Sequence, residues 1–216
     1  VTAECIIDDN VQKSLRAKGL DDVEKNALSK YFAYIDLGHV SQYCYVDNKE
    51  NVYTKSYSRI SYEEFQKSGF GEMLSGEYSK TEWIWTKDTL FGTGEEALFV
   101  GRYVRSMDYA HKPGMIFLKM DDGFLKSVAE GAGDQADEAA VGIVDGNGEF
   151  CMEYYPQDFY MTRSAREKIT ELAKSKTSGV VINRERVQGG ILQAYRQKES
   201  GMLIFTMVPN SVLYNR

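Results

Sequence analysis

The chain has 216 residues, 43% of them hydrophobic, which is enough to bury one large core or two modest ones. Its formal net charge is −6, and the charges are spread along the chain. This argues against nucleic-acid binding and against binding to an anionic membrane surface, because both need a basic face. No stretch reaches the roughly twenty apolar residues that cross a bilayer. We expect a fragment or a processed protein, because the first residue is not methionine.

The three cysteines have no metal-ligand spacing, and an odd number cannot all pair with one another. They are Cys5, Cys44 and Cys151. Cys44 and Cys151 lie in strand-like patterns, which predicts small buried hydrophobic residues. The cysteines therefore leave the redox compartment open.

The segment from about residue 3 to residue 38 is predicted to be helical, because its apolar residues recur in steps of three and four. These residues are Ile7, Val11, Leu15, Val23, Ala27 or Leu28, Tyr31 or Phe32, and Ile35. Gly19 interrupts the pattern, so the segment is either one kinked helix or two helices. It either lies on a sheet or also pairs with a second protomer.

Two later stretches, residues 43–53 and 141–150, follow one pattern. Each has a strand that ends in Val-Asp, a polar turn and a second strand. In the second stretch, the glycines and Asn147 are expected to supply the positive φ of a tight hairpin loop. We predict that each stretch is the opening hairpin of one α+β module.

A second pair of segments supports the same interpretation. Residues 114–125 and 201–213 both begin with Gly-Met, continue as an apolar strand and end where a helix could start. Because the hairpin and the Gly-Met strand occur twice in the same order, the chain is predicted to contain an internal duplication. The alternative is a chance similarity between ordinary strands.

The remaining elements alternate between short strands and helices. Residues 61–64 form a helix-capping pattern, Ser-Tyr-Glu-Glu. Strands are predicted at residues 97–107, 114–120, 179–182, 190–196 and 202–208, and helices at residues 123–130 and 162–176. Residues 58–76 are expected to be helical and loop-like, and residues 75–94 to be irregular and aromatic. Residues 131–138 are the best linker, since they are small, polar and glycine-bearing. Strands with helices to one side indicate an α+β fold.

Nothing in the chain is typical of a catalytic centre. His39 and His111 stand at the edges of elements without metal-ligand spacing. Nucleophile-elbow, phosphate-loop and dinucleotide motifs are absent from the sequence. Residues 145–149 resemble a calcium loop, but Gly148 comes too early, so a hairpin turn is predicted. We therefore expect no catalytic residue, no metal and no cofactor, and no enzyme activity in this chain.

A pocket for a small ligand is predicted between residues 83 and 108. Alternation along the strand at residues 97–107 places its residues on two faces. One face carries Leu98, Val100, Arg102 and Val104, and the other carries Phe99, Tyr103 and Arg105. Arginine offers a forked donor, and the nearby Trp83 and Trp85 offer apolar area. Tyr43 and Tyr45 of the first hairpin could add to the pocket. The alternative is that the aromatic residues form the core and the arginines are exposed.

Taken in order, these features resemble a known family. They are the N-terminal helix, the hairpin at residues 43–53, the Val-Arg-Ser-Met segment at 104–107, the strand at 114–125, the hairpin at 141–150 and the final strand at 201–213. This order resembles the extracytoplasmic double Cache sensor domains of bacterial membrane receptors. It is most similar to those of histidine kinases from Gram-positive bacteria.

The resemblance implies a long N-terminal helix, residues 1–38, that backs two PAS-like antiparallel sheets. The membrane-distal module would span residues 39–130, and the membrane-proximal module residues 139–213. The resemblance further implies an extracellular domain between two transmembrane helices, and an output domain such as a kinase inside the cell. A small molecule would bind the distal module, and a homodimer could form through the N-terminal helix. Contact with the membrane would come only from the flanking helices.

By the same resemblance, seven residues would form the ligand pocket. They are Tyr43, Tyr45, Trp83, Trp85, Tyr103, Arg105 and Asp108. The amino-acid-binding members carry an Arg-x-Trp-Tyr-like segment, and residues 81–85 lack its arginine, so sugars, small acids or no direct ligand stay open. Binding would shift a population between two states. The alternatives are the sensor domain of a chemoreceptor, a secreted carbohydrate- or peptide-binding module, an intracellular PAS-like domain and a hydrolase.

Overall fold

The structure, a computed structural model, describes residues 7–16, 18–34, 38–55, 59–78, 80–107, 112–131, 138–157, 159–175, 179–198 and 200–214. Of the sequence predictions, those on Cys5, Ile35, Asp108, His111 and linker residues 132–137 lie outside these ranges. The chain divides into two compact units, Val1–Asp121 and Asp122–Arg216, which we call the first and second modules.

The first module is one five-stranded antiparallel sheet with helices on both faces. Its helices are α1 (Asp9–Ser14), α2 (Asp22–Tyr34), α3 (Tyr62–Ser68) and a 3-10 helix (Phe70–Glu72). Its strands are β1 (Val40–Val46), β2 (Val52–Thr54), β3 (Thr81–Lys87), β4 (Glu96–Val104) and β5 (Gly114–Met120). They lie in the order β2-β1-β5-β4-β3.

The second module repeats this arrangement. Its strands are β6 (Ala140–Val144), β7 (Phe150–Tyr154), β8 (Gly179–Val187), β9 (Gly190–Arg196) and β10 (Leu203–Pro209). Its helices are α4 (Gly123–Gly131), α5 (Arg163–Lys174) and α6 (Asn210–Tyr214). The strand order is β7-β6-β10-β9-β8, so numbering the strands within each module gives 2-1-5-4-3 in both. The α+β class is confirmed, and the shared topology supports the predicted duplication.

The two opening hairpins have the same turn, built on an aspartate that directly follows the first strand. The Asp47 Oδ1 atom accepts hydrogen bonds from the backbone N–H groups two and four residues later, at 2.8 and 2.9 Å. Asp145 accepts the same two bonds, both at 2.8 Å. The residue three positions after each aspartate has positive φ, 69° at Glu50 and 88° at Gly148. The prediction that Gly146 and Asn147 also take positive φ is wrong, because the Asp145 side chain closes the turn and Gly148 alone supplies the left-handed residue.

The pairing of strands corrects the alignment of the two Gly-Met segments by one residue. Val46 pairs with Met115, and its counterpart Val144 pairs with Leu203. Met115 therefore matches Leu203 and not Met202. With this register Phe117 matches Phe205, so each module places a phenyl ring at the same position of its central strand.

Helices α1 and α2 cover one face of the first sheet. The buried residues of this layer are Val11, Leu15, Leu28, Phe32, Val40, Tyr43, Tyr45, Tyr53, Val100, Val104, Ile116 and Leu118. Gly19, with φ 70°, separates α1 from α2, so these two described parts of the N-terminal segment are distinct helices. The prediction that Ile7 and Val23 belong to the buried stripe is wrong, since they are 64% and 78% exposed. They lie near helix starts, outside the contact with the sheet.

Helix α3, the 3-10 helix and the β3–β4 loop cover the opposite face. The buried residues of this second layer are Cys44, Val46, Phe65, Phe70, Leu74, Leu90, Ala97, Phe99 and Phe117. The predicted alternation along β4 is confirmed, because Val100 and Val104 belong to the first layer and Phe99 to the second. The predicted cap of α3 is also present, with Ser61 and Glu64 forming a reciprocal capping box.

In the second module, α5 and α4 pack on the sheet. Helix α5 buries Ala165, Ile169 and Ala173. Helix α4 packs on β6 and β7 and buries Leu125 and Ala129. Because α4 packs on these strands, the division between the modules falls at residues 121/122, which differs from the boundary expected at 131–138. Within the described ranges, no helix is long and apolar enough to cross a membrane.

At the matched positions of the two turns, introducing a glycine and removing one are expected to have opposite effects on stability. A left-handed conformation costs a non-glycine residue about 1–2 kcal/mol, so Glu50→Gly is expected to stabilise the protein by about 1 kcal/mol after the entropy cost of glycine. Gly148→Ala should destabilise it, because a Cβ there would lie 2.8 Å from Thr170 Cγ2. Gly146→Ala is the control, since nothing lies within 4 Å of its added Cβ. Urea unfolding measures all three, and a loss of stability in Glu50→Gly would contradict the assignment.

A buried ion pair ties the β3–β4 loop to β5. The Lys119 Nζ atom lies 2.6 Å from Asp88 Oδ2, with side-chain exposures of 15% and 0%. Asp88→Asn keeps the shape but leaves the lysine without its counter-charge, so we expect a loss of about 3 kcal/mol in urea unfolding. In the exposed pair Lys67–Glu63, with side chains 73% and 76% exposed, Glu63→Gln should change stability by less than about 0.5 kcal/mol. Equal effects of the two substitutions would contradict this.

Candidate ligand site at the ends of β3 and β4

An arginine and two tyrosines meet where β4 ends. The rings of Tyr78 and Tyr103 are edge to face, with centroids 5.0 Å apart and planes 70° apart. The Arg105 guanidinium carbon lies 4.8 Å from the centroid of the Tyr78 ring. With Ser75 and Glu82 these residues form a cluster that we call the rim site. It offers a cation, two aromatic faces and a carboxylate.

Glu82 holds the segment that carries Tyr78 against the sheet. It lies on β3 opposite Gly101 of β4, on the same face as Tyr103. Its Oε1 atom accepts hydrogen bonds from the backbone N–H of Ser75, at 2.8 Å, and from the Ser75 hydroxyl. Gly101 allows the segment to approach, because a Cβ there would lie 3.0 Å from Leu74 Cδ2. The contact between the rings of Tyr78 and Tyr103 therefore follows from the way in which the segment before β3 is held against the sheet.

The rim site combines a protonated phenol with an exposed cation. Burial, followed by the neighbouring Tyr78 and Glu82, raises the pKa of Tyr103. The phenol therefore keeps its proton at neutral pH and can both donate and accept. Arg105 is exposed, and Tyr78 is 44% exposed. Such a set suits a small ligand that has a carboxylate, because a guanidinium binds one with two parallel hydrogen bonds.

Phenyl rings fill the middle of the same face. Phe70 packs edge to face on Phe99 and on Phe117, with ring centroids 4.6 and 5.5 Å apart. Phe65 lies 5.9 Å from Phe117, and Phe91 lies 6.3 Å from Phe99. The middle of this face is therefore apolar and packed. Its Lys119 is paired with the buried Asp88, whereas the rim site lies at the edge and has an exposed cation.

Several of the residues predicted for the pocket lie on the other face. Tyr43 and Tyr45 pack on Phe32 of α2, with ring centroids 5.0 and 5.2 Å apart. Trp83 packs against the same layer, and alternation along β3 places Trp85 on that side as well. The structure therefore brings Tyr103 and Arg105 together but separates them from these four residues. The six of the seven predicted residues that the structure describes do not form one pocket.

Three residues of the rim site were not assigned from the sequence. They are Ser75, Tyr78 and Glu82. A signal was present for Glu82, because alternation along β3 places it on the face opposite Trp83. The positions of Ser75 and Tyr78 depend on the path of an irregular segment, for which the sequence has no periodic pattern.

The second module uses the matching position for a different purpose. Gly101 pairs with Phe117, and Ala194 pairs with Phe205, so Tyr103 matches Arg196. Arg196 is 6% exposed. Its guanidinium donates hydrogen bonds to three backbone carbonyls, those of Leu172 and Ala173 at the end of α5 and that of Gly201, at 2.6–2.7 Å. There the position serves as a helix cap.

An open groove in the second module lies between its hairpin and α5. Arg166 stands 3.8 Å above the ring centroid of Phe150 and binds both carboxylate oxygens of Glu153, at 2.8 and 3.2 Å. The two parallel donors of the Arg166 guanidinium are therefore used for a contact inside the module. Among the described residues, no group of three or more His, Cys, Asp or Glu side chains could hold a metal ion.

No family model and no curated protein matches the sequence. Solved structures match at low identity. The extracellular domain assigned to histidine kinase rpHK1S-Z16 is 13% identical, with TM-score 0.54, over 100% of this chain and 89% of that one. The ligand-binding domain of the Pseudomonas aeruginosa chemoreceptor PctB, solved with L-Arg, is 12% identical, with TM-score 0.51, over 99% and 81%.

A third match has the same fold. The ligand-binding domain of the Pseudomonas fluorescens chemoreceptor CtaA, solved with L-serine, is 10% identical, with TM-score 0.50, over 97% of this chain and 89% of that one. At these identities the likenesses show the fold. The chain therefore shares the two-module fold of these domains, and the two antiparallel sheets that the resemblance implied are confirmed. The long helix expected over residues 1–38 is not found among the described residues, because Gly19 separates α1 from α2.

Tyr45 provides a test of its structural role. Its hydroxyl lies 2.7 Å from Ser14 Oγ, so Tyr45→Phe should cost about 1 kcal/mol at pH 8. Burial raises the pKa of Tyr45, so the unfolded chain loses the phenol proton first and the wild type loses stability as pH rises above about 10. The difference between wild type and variant should therefore shrink by about 0.8 kcal/mol at pH 10.5. A difference in unfolding free energy between wild type and Tyr45→Phe that is the same at pH 8 and pH 10.5, measured by urea unfolding, would contradict this.

Proposed function

We propose that this chain is the extracellular ligand-sensing domain of a bacterial membrane receptor, either a histidine kinase or a chemoreceptor. It binds a small molecule in its first module and has no catalytic activity of its own. The fold supports the class of protein, since the matching structures are extracellular or ligand-binding domains of such receptors. The rim site supports the choice of module.

One observation carries the ligand class. Arg105 stands against the ring of Tyr78, which in turn contacts Tyr103. A guanidinium beside aromatic faces is suited to a carboxylate on a small organic body. Glu82 adds a negative charge on the same face, which suits the ammonium group of an amino acid. We therefore propose a small carboxylate as the ligand, with amino acids and dicarboxylates as its two forms.

Signalling follows from unequal binding to two states. A carboxylate that draws Arg105 towards the tyrosines stabilises the state in which these groups are close. The output changes only as far as the two states bind the ligand with different affinity.

A thermal-shift panel of L-amino acids, C3–C5 dicarboxylates and neutral sugars tests the proposal. A ligand at one hundred times its dissociation constant adds about 2.7 kcal/mol of apparent stability, which should raise Tm by several degrees for a protein of this size. We expect a carboxylate to produce this shift, and Arg105→Ala to abolish it in a protein with unchanged circular dichroism. Glu82→Gln should weaken an amino acid more than a dicarboxylate.

The matched control is Arg163→Ala, which removes an arginine with a 92% exposed side chain from the second module. It should leave the shift intact. A shift that survives Arg105→Ala would remove the rim site from the proposal. A panel in which only neutral sugars bind would overturn the ligand class, and one without any shift would contradict small-molecule sensing by this chain.

A further inference from the structure

Gln12 of α1 joins the N-terminal helix to the segment that carries Arg105. Its side chain is buried, with 8% exposure. The side-chain Nε2 atom donates a hydrogen bond to the Arg105 carbonyl at 3.1 Å, and the Oε1 atom accepts one from the Met107 N–H at 2.9 Å. The two bonds flank Ser106, which is itself 5% exposed. The side-chain amide thus pairs with the backbone as a neighbouring strand would.

This contact stands where the sheet ends. Strand β4 ends at Val104, and its pairing with β5 ends where Val104 meets Gly114. Beyond this pairing, Gln12 supplies a hydrogen bond to each end of the segment formed by residues 105–107. Because the Arg105 side chain projects from the same segment, the position of its guanidinium depends on where Gln12 holds the backbone.

Helix α1 is capped at its start and bonded to the β1–β2 turn at its end. At its start, the Asp8 side chain accepts hydrogen bonds from the N–H groups of Asn10 and Val11, at 2.8 and 3.3 Å. At its end, the β1–β2 turn caps two carbonyls. Asn48 donates to Leu15 O at 2.7 Å, and Lys49 donates to Ser14 O at 2.9 Å.

The helix cannot shift relative to the β1–β2 turn without loss of the bonds from Asn48 and Lys49. A displacement of residues 105–107 must therefore either break the Gln12 bonds or strain the capped helix. Either outcome joins the free energy of the rim site to that of α1, and such coupling acts equally in both directions.

We propose that Gln12 is a positioning residue for Arg105, through which α1 sets the geometry of the rim site and responds to its occupation. The regulatory part of this inference rests on the proposed function. The positional part does not, since it concerns the unliganded protein.

The experiment compares wild type, Gln12→Glu and Gln12→Met without any ligand. Hydrogen exchange of the Met107 amide is the first readout. Glutamate keeps the acceptor for this amide but loses the donor to the Arg105 carbonyl, whereas methionine loses both. The amide should therefore stay protected in Gln12→Glu and exchange at least about tenfold faster in Gln12→Met. The amides of β4 should remain unchanged in both variants.

The second readout uses phenylglyoxal, an arginine reagent, as the probe at the rim site. Its rate of reaction with Arg105, mapped by peptide mass spectrometry, should rise several-fold in Gln12→Met relative to the rate at Arg163. Unchanged ratios in both variants, or a β4 that exchanges faster together with Met107, would overturn the proposal. Because no ligand is used, a failure here is separate from a failure of the thermal-shift panel.

Discussion

The sheet of the first module is buried on both faces, and the position of the candidate site follows from this constraint. Helices α1 and α2 cover one face, and α3 with the segment that follows it covers the other. Water is excluded from the middle of both layers, so polar groups there would be costly. Polar ligand-binding groups are tolerated at the strand ends, where Tyr103 and Arg105 lie. The same coverage uses Tyr43 and Tyr45 as core residues under α2.

The duplicated architecture shows how the two modules have diverged. Their sheets have the same strand order, and their hairpins close on the same aspartate turn. At the matched position of the fourth strand, however, Tyr103 contributes to the exposed rim site and Arg196 caps α5 from within the core. A cation buried in this way is stabilised by the carbonyl dipoles that its two terminal nitrogens contact, and it holds a helix in place. These assignments suit a first module that binds a small ligand and a second module in which the matching side chain holds its own helix in place.

Much of the fold could be predicted from the sequence, because periodicity reports burial directly. The duplication, the two hairpins, the capping box of Ser61 and the two faces of β4 all have local signals. The sequence has no local signal for which helix covers which face, since both faces of β4 carry apolar residues. For this reason the sequence predicts a pocket position for Tyr45, which is a core residue. The rim site depends on the path of residues 73–78 and on Gln12, ninety-three residues from Arg105 in sequence. Contacts of that kind leave no periodic trace.

The most direct measurement of the central claim is a two-dimensional amide NMR titration of the ¹⁵N-labelled chain. Equimolar mixtures of L-amino acids and of dicarboxylates would be added in turn. Binding at the rim site should give its largest shift changes at the amides of Tyr78, Tyr103 and Arg105, followed by smaller ones in α1. Largest changes around Phe150 and Arg166 would place binding in the second module, and a spectrum unchanged at millimolar concentrations would contradict carboxylate sensing altogether.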